Sequence, residues 1–260
     1  MDNIIQHFRS EERPFIERVV GWQREVEDRY APKLTDFLDP RERFIVQAII
    51  QQQDDISLAS EGGFEGAERQ RMLIYPSYYE PSVEDFAITL FSIHYATKFV
   101  TLEHPQILGA LMSNGVERKR FGDIRLADDC VQFAVSKEIS EFLRLQVTSV
   151  GKAKVSLEEI SLAQALPQVT EEWQEQMHTV SSMRLDVVLA SALSISRQKA
   201  QQLITAGRVK VNHTVREDRA FELQDEDLLS VRGYGRLKVL AIEGRTRKQK
   251  IKVILGTLIA

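Results

Sequence analysis

Phe15, Val19, Trp22 and Val26 recur at i, i+4, i+7 and i+11 with Glu, Arg and Gln between them. That period predicts a helix with one apolar face, and Pro14 sits where a first-turn proline is tolerated. Asp39-Pro40-Arg41-Glu42 opens a second helix. Asp39 is the cap, Pro40 the first helical residue, and Glu42 lies three residues after the cap; Ile45, Ala48 and Ile49 are its expected buried stripe. The period then shortens to two. Met72-Leu73-Ile74-Tyr75, stopped by Pro76, predicts a short strand, and Phe86, Ile88 and Leu90 alternate in a run that continues to Tyr95. A helix from about Pro105 buries Ile107, Leu108, Leu111 and Met112 and stops at Asn114-Gly115. A hairpin follows, Asp123–Leu126 and Val131–Val135 around Asp128-Asp129, then a helix over Glu138–Leu145 and a strand over Ala153–Leu157. The order β, β, α, β, β, α, β contains the β-α-β-β-α-β unit of ferredoxin-like domains.

From Arg184 the helical period returns. Leu185, Val188, Leu189 and Ala192 make one helix face. Ser194 or Ser196 can cap a second helix, which buries Ala200, Leu203 and Ile204 and ends before Gly207. Arg197 and Lys199 fall at the edges of its stripe. With Arg208 and Lys210 of the next strand they are expected to form one cationic rim, whose mutual repulsion a polyanion relieves. Gly233 and Gly235 give a loop from which Arg236 can reach phosphate or a 2′-hydroxyl surface. Gly244 to Lys250 predicts a basic hairpin tip. The expected architecture is α+β and multidomain: a helical N-terminal segment (1–70), a ferredoxin-like, RRM-like middle domain (71–160), an acidic connector (161–180) and a small α-α-β RNA-binding domain (181–260).

Composition changes this picture little until it is divided. The 260 residues are 43% hydrophobic and 28% charged, with a net charge of −4, ordinary for a globular protein. Residues 181–260, however, hold 15 Lys+Arg against 8 Asp+Glu, a balance of +7; with 34 and 38 in the whole chain, residues 1–180 stand at −11. A polyanion meets the local field, screened over about 8–10 Å, rather than the average. The division predicts a basic C-terminal domain on an acidic carrier. No apolar run approaches the roughly 20 residues that cross a bilayer, and the N-terminus lacks the pattern of a secretory signal. A cytoplasmic protein with no membrane partner, acting as a monomer, is expected.

Candidate chemistry is sparse. His7, His94, His104, His178 and His213 have no metal-ligand spacing to one another or to Cys130, the single cysteine. Neither metal nor cofactor is expected. Gly62-Gly63-Phe64-Glu65-Gly66 lacks the lysine and hydroxyl of a phosphate-binding loop. Val131-Gln132-Phe133-Ala134-Val135 does not match the aromatic strand motif of base-stacking RRM-type readers. Trp173 is expected to anchor the connector; the carboxylates of Glu171, Glu172 and Glu175 argue against stacking on a base.

R-L-D-x-x-L from Arg184, then S-R-x-x-A-x-x-L-I-x-x-G-x-V-x-V-N from Ser196, resembles the small RNA-binding domain named after ribosomal small-subunit protein four, over about Ser181 to Lys238. The resemblance implies Ser196, Arg197, Lys199, Gln202, Arg208, Lys210 and Asn212 as contacts to structured RNA. Arg184 would contact RNA or pair with Asp186 or another local acid. That module often accompanies pseudouridine synthases, but no G-R-L-D motif with their catalytic aspartate is present. The domain order, with F-L-D-P-R-E (Phe37 to Glu42), G-D-I (Gly122 to Ile124) and R-G-Y-G-R (Arg232 to Arg236), is similar to the YlmH family. This implies a non-catalytic protein that binds large-subunit rRNA and tRNA on the large ribosomal subunit, in quality control of stalled ribosomes. The alternatives are an RNA-modifying enzyme with its site in the middle domain, and a cell-division-associated interaction protein docking through the acidic half.

Overall fold

Asp39 and Glu42 cap each other as their spacing demands: Asp39 N–H donates to Glu42 Oε2 at 2.9 Å, and Glu42 N–H to Asp39 Oδ1 at 2.9 Å. The structure, a computed structural model, describes residues 8–50, 55–127, 130–168 and 173–259. The chain divides into two compact units, Met1–Gln168 and Val169–Ala260.

The first unit begins with α1 (Arg13–Arg29), β1 (Lys33–Leu38), α2 (Pro40–Ile50), β2 (Ile56–Glu61) and β3 (Gln70–Pro76). The buried face of α1 is Ile16, Val19, Gln23 and Val26, one position round from the expected stripe. Phe15 and Trp22 flank it and pack edge to face, centroids 5.9 Å apart. The apolar run of β3 is expected to head the middle domain. It pairs instead with β1 on one side and β2 on the other, which is why Met72, Leu73 and Ile74 are all buried. The N-terminal segment is therefore two helices packed with a three-stranded antiparallel sheet, not helices alone.

The next elements are β4 (Ile88–His94), α3 (His104–Met112), β5 (Phe121–Ala127), β6 (Cys130–Ser136), α4 (Ser140–Gln146), the short pair β7 (Ser149–Val150) and β8 (Ala153–Lys154), and β9 (Ser156–Ile160). The four main strands form an antiparallel sheet in the order β5-β6-β4-β9, the ferredoxin-like arrangement expected from β-α-β-β-α-β. Its last strand is Ser156–Ile160, a few residues later than expected. The Asp128-Asp129 turn lies outside the described residues.

Phe91, Ile93, Phe133 and Val135 pack with Ile107, Leu111 and Leu143 of the two helices. The other face shows Leu90 and Ala134, and these pack against Phe37, Phe64 and Ala67. Close approach requires glycine there: a Cβ on Gly122 would stand 2.8 Å from Phe37 Cε1 and 2.9 Å from Ala134 Cβ. RRM-type readers stack bases on this face. Here it is filled from within the unit.

The second unit contains β10 (Gln174–Val180), α5 (Leu185–Ala192), α6 (Arg197–Thr205), β11 (Val209–Val211), β12 (Thr214–Val215), β13 (Leu228–Val231), β14 (Gly235–Arg245) and β15 (Ile251–Ile259). They build a six-stranded antiparallel sheet in the order β10-β15-β14-β13-β11-β12. Residues 174–180, expected as connector, are its edge strand. The expected acidic centre at Glu171-Glu172 lies outside the described residues. The two helices cover one sheet face, where Leu185, Val188, Leu189, Ala200, Leu203 and Ile204 meet Val209, Val211, Val231, Leu237 and Val253.

Candidate nucleic-acid interface

Helix α6 starts where Ser196 caps it, its hydroxyl oxygen accepting the Lys199 N–H at 3.2 Å. Ser194 does not serve as the cap. Gly207, at φ 65°, turns the chain out of the helix. Between the starts of α5 and α6 stands Asp186, with a fully buried side chain. It accepts hydrogen bonds from Arg184 Nε at 3.2 Å and Nη2 at 3.4 Å, Arg197 Nε at 2.9 Å and Gln201 Nε2 at 2.8 Å. Burial raises the pKa of this carboxyl. The bonds from Gln201, Arg184 and Arg197, with the Arg197 charge, outweigh that and hold it down at about 2. A permanent carboxylate thus ties the two helix starts together, while Arg184 and Arg197 remain 38% and 53% exposed.

The expected single rim is divided. Arg197 and Lys199 lie in the first turn of α6, and the nine-residue helix, at about 1.5 Å per residue, carries the chain from that turn toward the Arg208 end. Val209 and Val211 are buried beneath the helices, so strand alternation sends Lys210 to the opposite sheet face. There the register places Lys210 opposite Ser230, and Ser230 opposite Arg236. Lys199, Arg208 and Lys210 are exposed and make no ion pair with a described residue. Gln202 is exposed, whereas its neighbour Gln201 is bound to Asp186.

Asn212, half-buried, is held by the fold. Its Nδ2 donates to the buried Asp227 Oδ1 at 2.8 Å, and its Oδ1 accepts the Leu228 N–H at 2.9 Å. Its φ of 49° suits asparagine better than a branched residue. Asn212→Ala is expected to lower stability by about 1–3 kcal/mol, because Asp227 and the Leu228 N–H lose a partner. Chemical denaturation measures it, and an unchanged midpoint would contradict the assignment. Arg236 does not stand clear of the protein: its Cζ lies 6.0 Å from the Trp173 ring centroid.

Arg184 pairs with Asp186, one of the roles its position in the sequence allows, whereas Arg197 and Gln201, further partners of that carboxylate, are not expected there from the sequence. The available signal is the cost of a buried acid: an Asp in the first turn of an otherwise apolar helix must find donors. Among the described residues no group of three or more His, Cys, Asp or Glu is arranged to hold a metal, and no helix is long and apolar enough to cross a membrane.

Comparison with known proteins follows the same divisions. Residues 11–79 match the family described as "YlmH, N-terminal", residues 81–164 the "Putative RNA-binding domain in YlmH", and residues 183–229 the "S4 domain". The chain is similar to "Ribosome-associated protein quality control protein P2" of Bacillus subtilis (strain 168), 46% identical over 254 residues, covering 97% of this chain and 98% of that one. It is also similar to a solved structure, "Cell division protein ylmH from Streptococcus pneumoniae", 35% identical, covering 60% of this chain and 95% of that one with a TM-score of 0.53.

Proposed function

The chain belongs to the YlmH family, and from that premise we propose that it is a non-catalytic RNA-binding protein of the ribosome, engaging large-subunit rRNA and tRNA in quality control of stalled ribosomes. The observation that carries the reading is the set of exposed cations on the C-terminal unit, Lys199, Arg208 and Lys210, which lack carboxylate partners among the described residues, with Asp186 fixing the helix start that carries Lys199. The near full-length likeness to a protein named for ribosome-associated quality control supports it. The mechanism is positional. The fold holds cations where an RNA backbone can meet them, and binding releases the counterions condensed on that backbone.

Titration of large ribosomal subunits at rising salt tests this. With about four to six phosphates engaged, log K is expected to fall against log salt with a slope of magnitude about 3–5. A salt-independent affinity contradicts the electrostatic account. A second reading, a division-associated interaction protein, draws on the name of the pneumococcal relative; it predicts no ribosomal RNA binding in the same titration.

A further inference from the structure

The two helices of the second unit lie on one face of its sheet. By register the opposite face presents Lys210, Ser230 and Arg236 in one row, then Lys238, Gly256 and Glu175, then Ile254 and Met177. Met177 is 60% exposed. Trp173 lies on this face. A Cβ built on Gly256 would come within 3.1 Å of the indole Cε3 and 3.4 Å of Leu240 Cδ1, so the absent side chain is what lets the ring lie against the strand. Arg236 stands over the ring.

We propose that this outer sheet face is a second RNA surface, which takes a single-stranded RNA segment by stacking a base on Trp173 while Arg236 and Lys210 hold its backbone. The proposal rests on the RNA-binding reading above and adds a surface on the other side of the sheet from the helices. A stacking platform needs an aromatic ring supported on one side and approachable from the other. The strand at Gly256 gives the support, and Arg236, a long flexible cation, occupies the approach. Guanidinium planes stack on bases as they do on indole, so a base entering there exchanges one partner of Arg236 for another. Lys210 and Arg236 are two strands apart, about 10 Å at about 4.8 Å per strand, which lets them grip separate points of one backbone. Glu175 is in register with Gly256, and Glu226 holds Lys238 at 2.7 Å. Lys210, Arg236 and Lys252 on the same face offset Glu175. The middle sheet, whose corresponding face is filled by Phe37 and Phe64, offers no such platform.

The chain has two tryptophans, so Trp22→Phe in the full-length protein leaves Trp173 as the sole indole reporter. Titration with a short oligoadenylate is expected to quench its emission saturably, and polyglutamate of matched charge is expected not to. Trp173→Ala is expected to weaken oligoadenylate binding about five- to a hundredfold, with Trp173→Phe retaining most of the affinity. Emission unchanged by RNA, equal quenching by polyglutamate, or undiminished binding by Trp173→Ala overturns the proposal. If Trp173→Ala binds both oligoadenylate and ribosomal subunits like the parent while Lys199→Glu/Arg208→Glu loses the subunits, the outer-face surface fails and the functional reading stands. If the parent binds neither RNA, both fail.

Discussion

Reversing charge at Lys199, Arg208 and Lys210 together is expected to abolish co-sedimentation with the large ribosomal subunit while leaving the melting temperature within a degree or two of the parent's. These three are the clean positions. Each is exposed and without an ion pair to a described residue, so their reversal breaks no ion pair among the described residues; exposed substitutions of this kind change stability by about 0.5 kcal/mol or less. Arg197 is not suitable, because it donates to buried Asp186 at 2.9 Å and Arg197→Glu would set two carboxylates together. Each lost phosphate contact removes about 0.7–0.9 from the salt slope. The corresponding alanine triple is therefore expected to flatten the slope by about 2–3, and the reversal adds repulsion. Sedimentation unchanged by the triple reversal would remove these residues from the interface.

Asp186→Ala is expected to act in the opposite way, damaging the fold first and binding only as a consequence. The substitution strips an acceptor from Arg184, Arg197 and Gln201 and leaves a void beside the starts of α5 and α6. Bonds to charged groups contribute about 1.5–3 kcal/mol each, and the two arginines recover part of that through water because they are half exposed. A net loss of about 2–4 kcal/mol is expected, read as a lower denaturation midpoint of the C-terminal unit. The pH dependence has a fixed sign. The folded carboxyl lies at about 2, below its ordinary value of 3.8, so its contribution is complete above about pH 4 and is lost as the pH falls toward 2. The alanine variant is expected to lack this part of the acid transition. An acid transition of the same size in both proteins would show that Asp186 is not the group responsible.

Elements with a local cause are legible in the sequence. The Asp39 capping box, the proline in the first turn of α1 and the Gly207 stop each depend on residues a few positions apart, and all occur where spacing places them. What depends on distant pairing is not legible. Strand β3 carries the same apolar run whether it heads one sheet or fills the centre of another; only its pairing with β1 and β2 decides, and their partner residues lie about 10 to 40 positions away in sequence. Residues 174–180 are polar because they form an edge strand, and edge strands look like linkers. The site shows the same division. The residues that cap, stop and support α6 follow from its period. The separation of Lys210 from Arg197 and Lys199 does not, because a helical projection and a strand alternation do not share a frame until the helices are packed on one face. The acidic neighbours of Trp173 in sequence argue against a stacking role, whereas in the fold its ring lies on Gly256 beneath Arg236.

The C-terminal unit is expected to meet ribosomal RNA through its exposed cations. Crosslinking in cells, with sequencing of the RNA recovered on the full-length protein, tests it most directly. Reads concentrated in large-subunit rRNA and tRNA are expected, and so is their loss in the Lys199→Glu/Arg208→Glu/Lys210→Glu protein expressed at the same level. Recovery of the same RNA by that variant, or of no RNA above background by the parent, would contradict it.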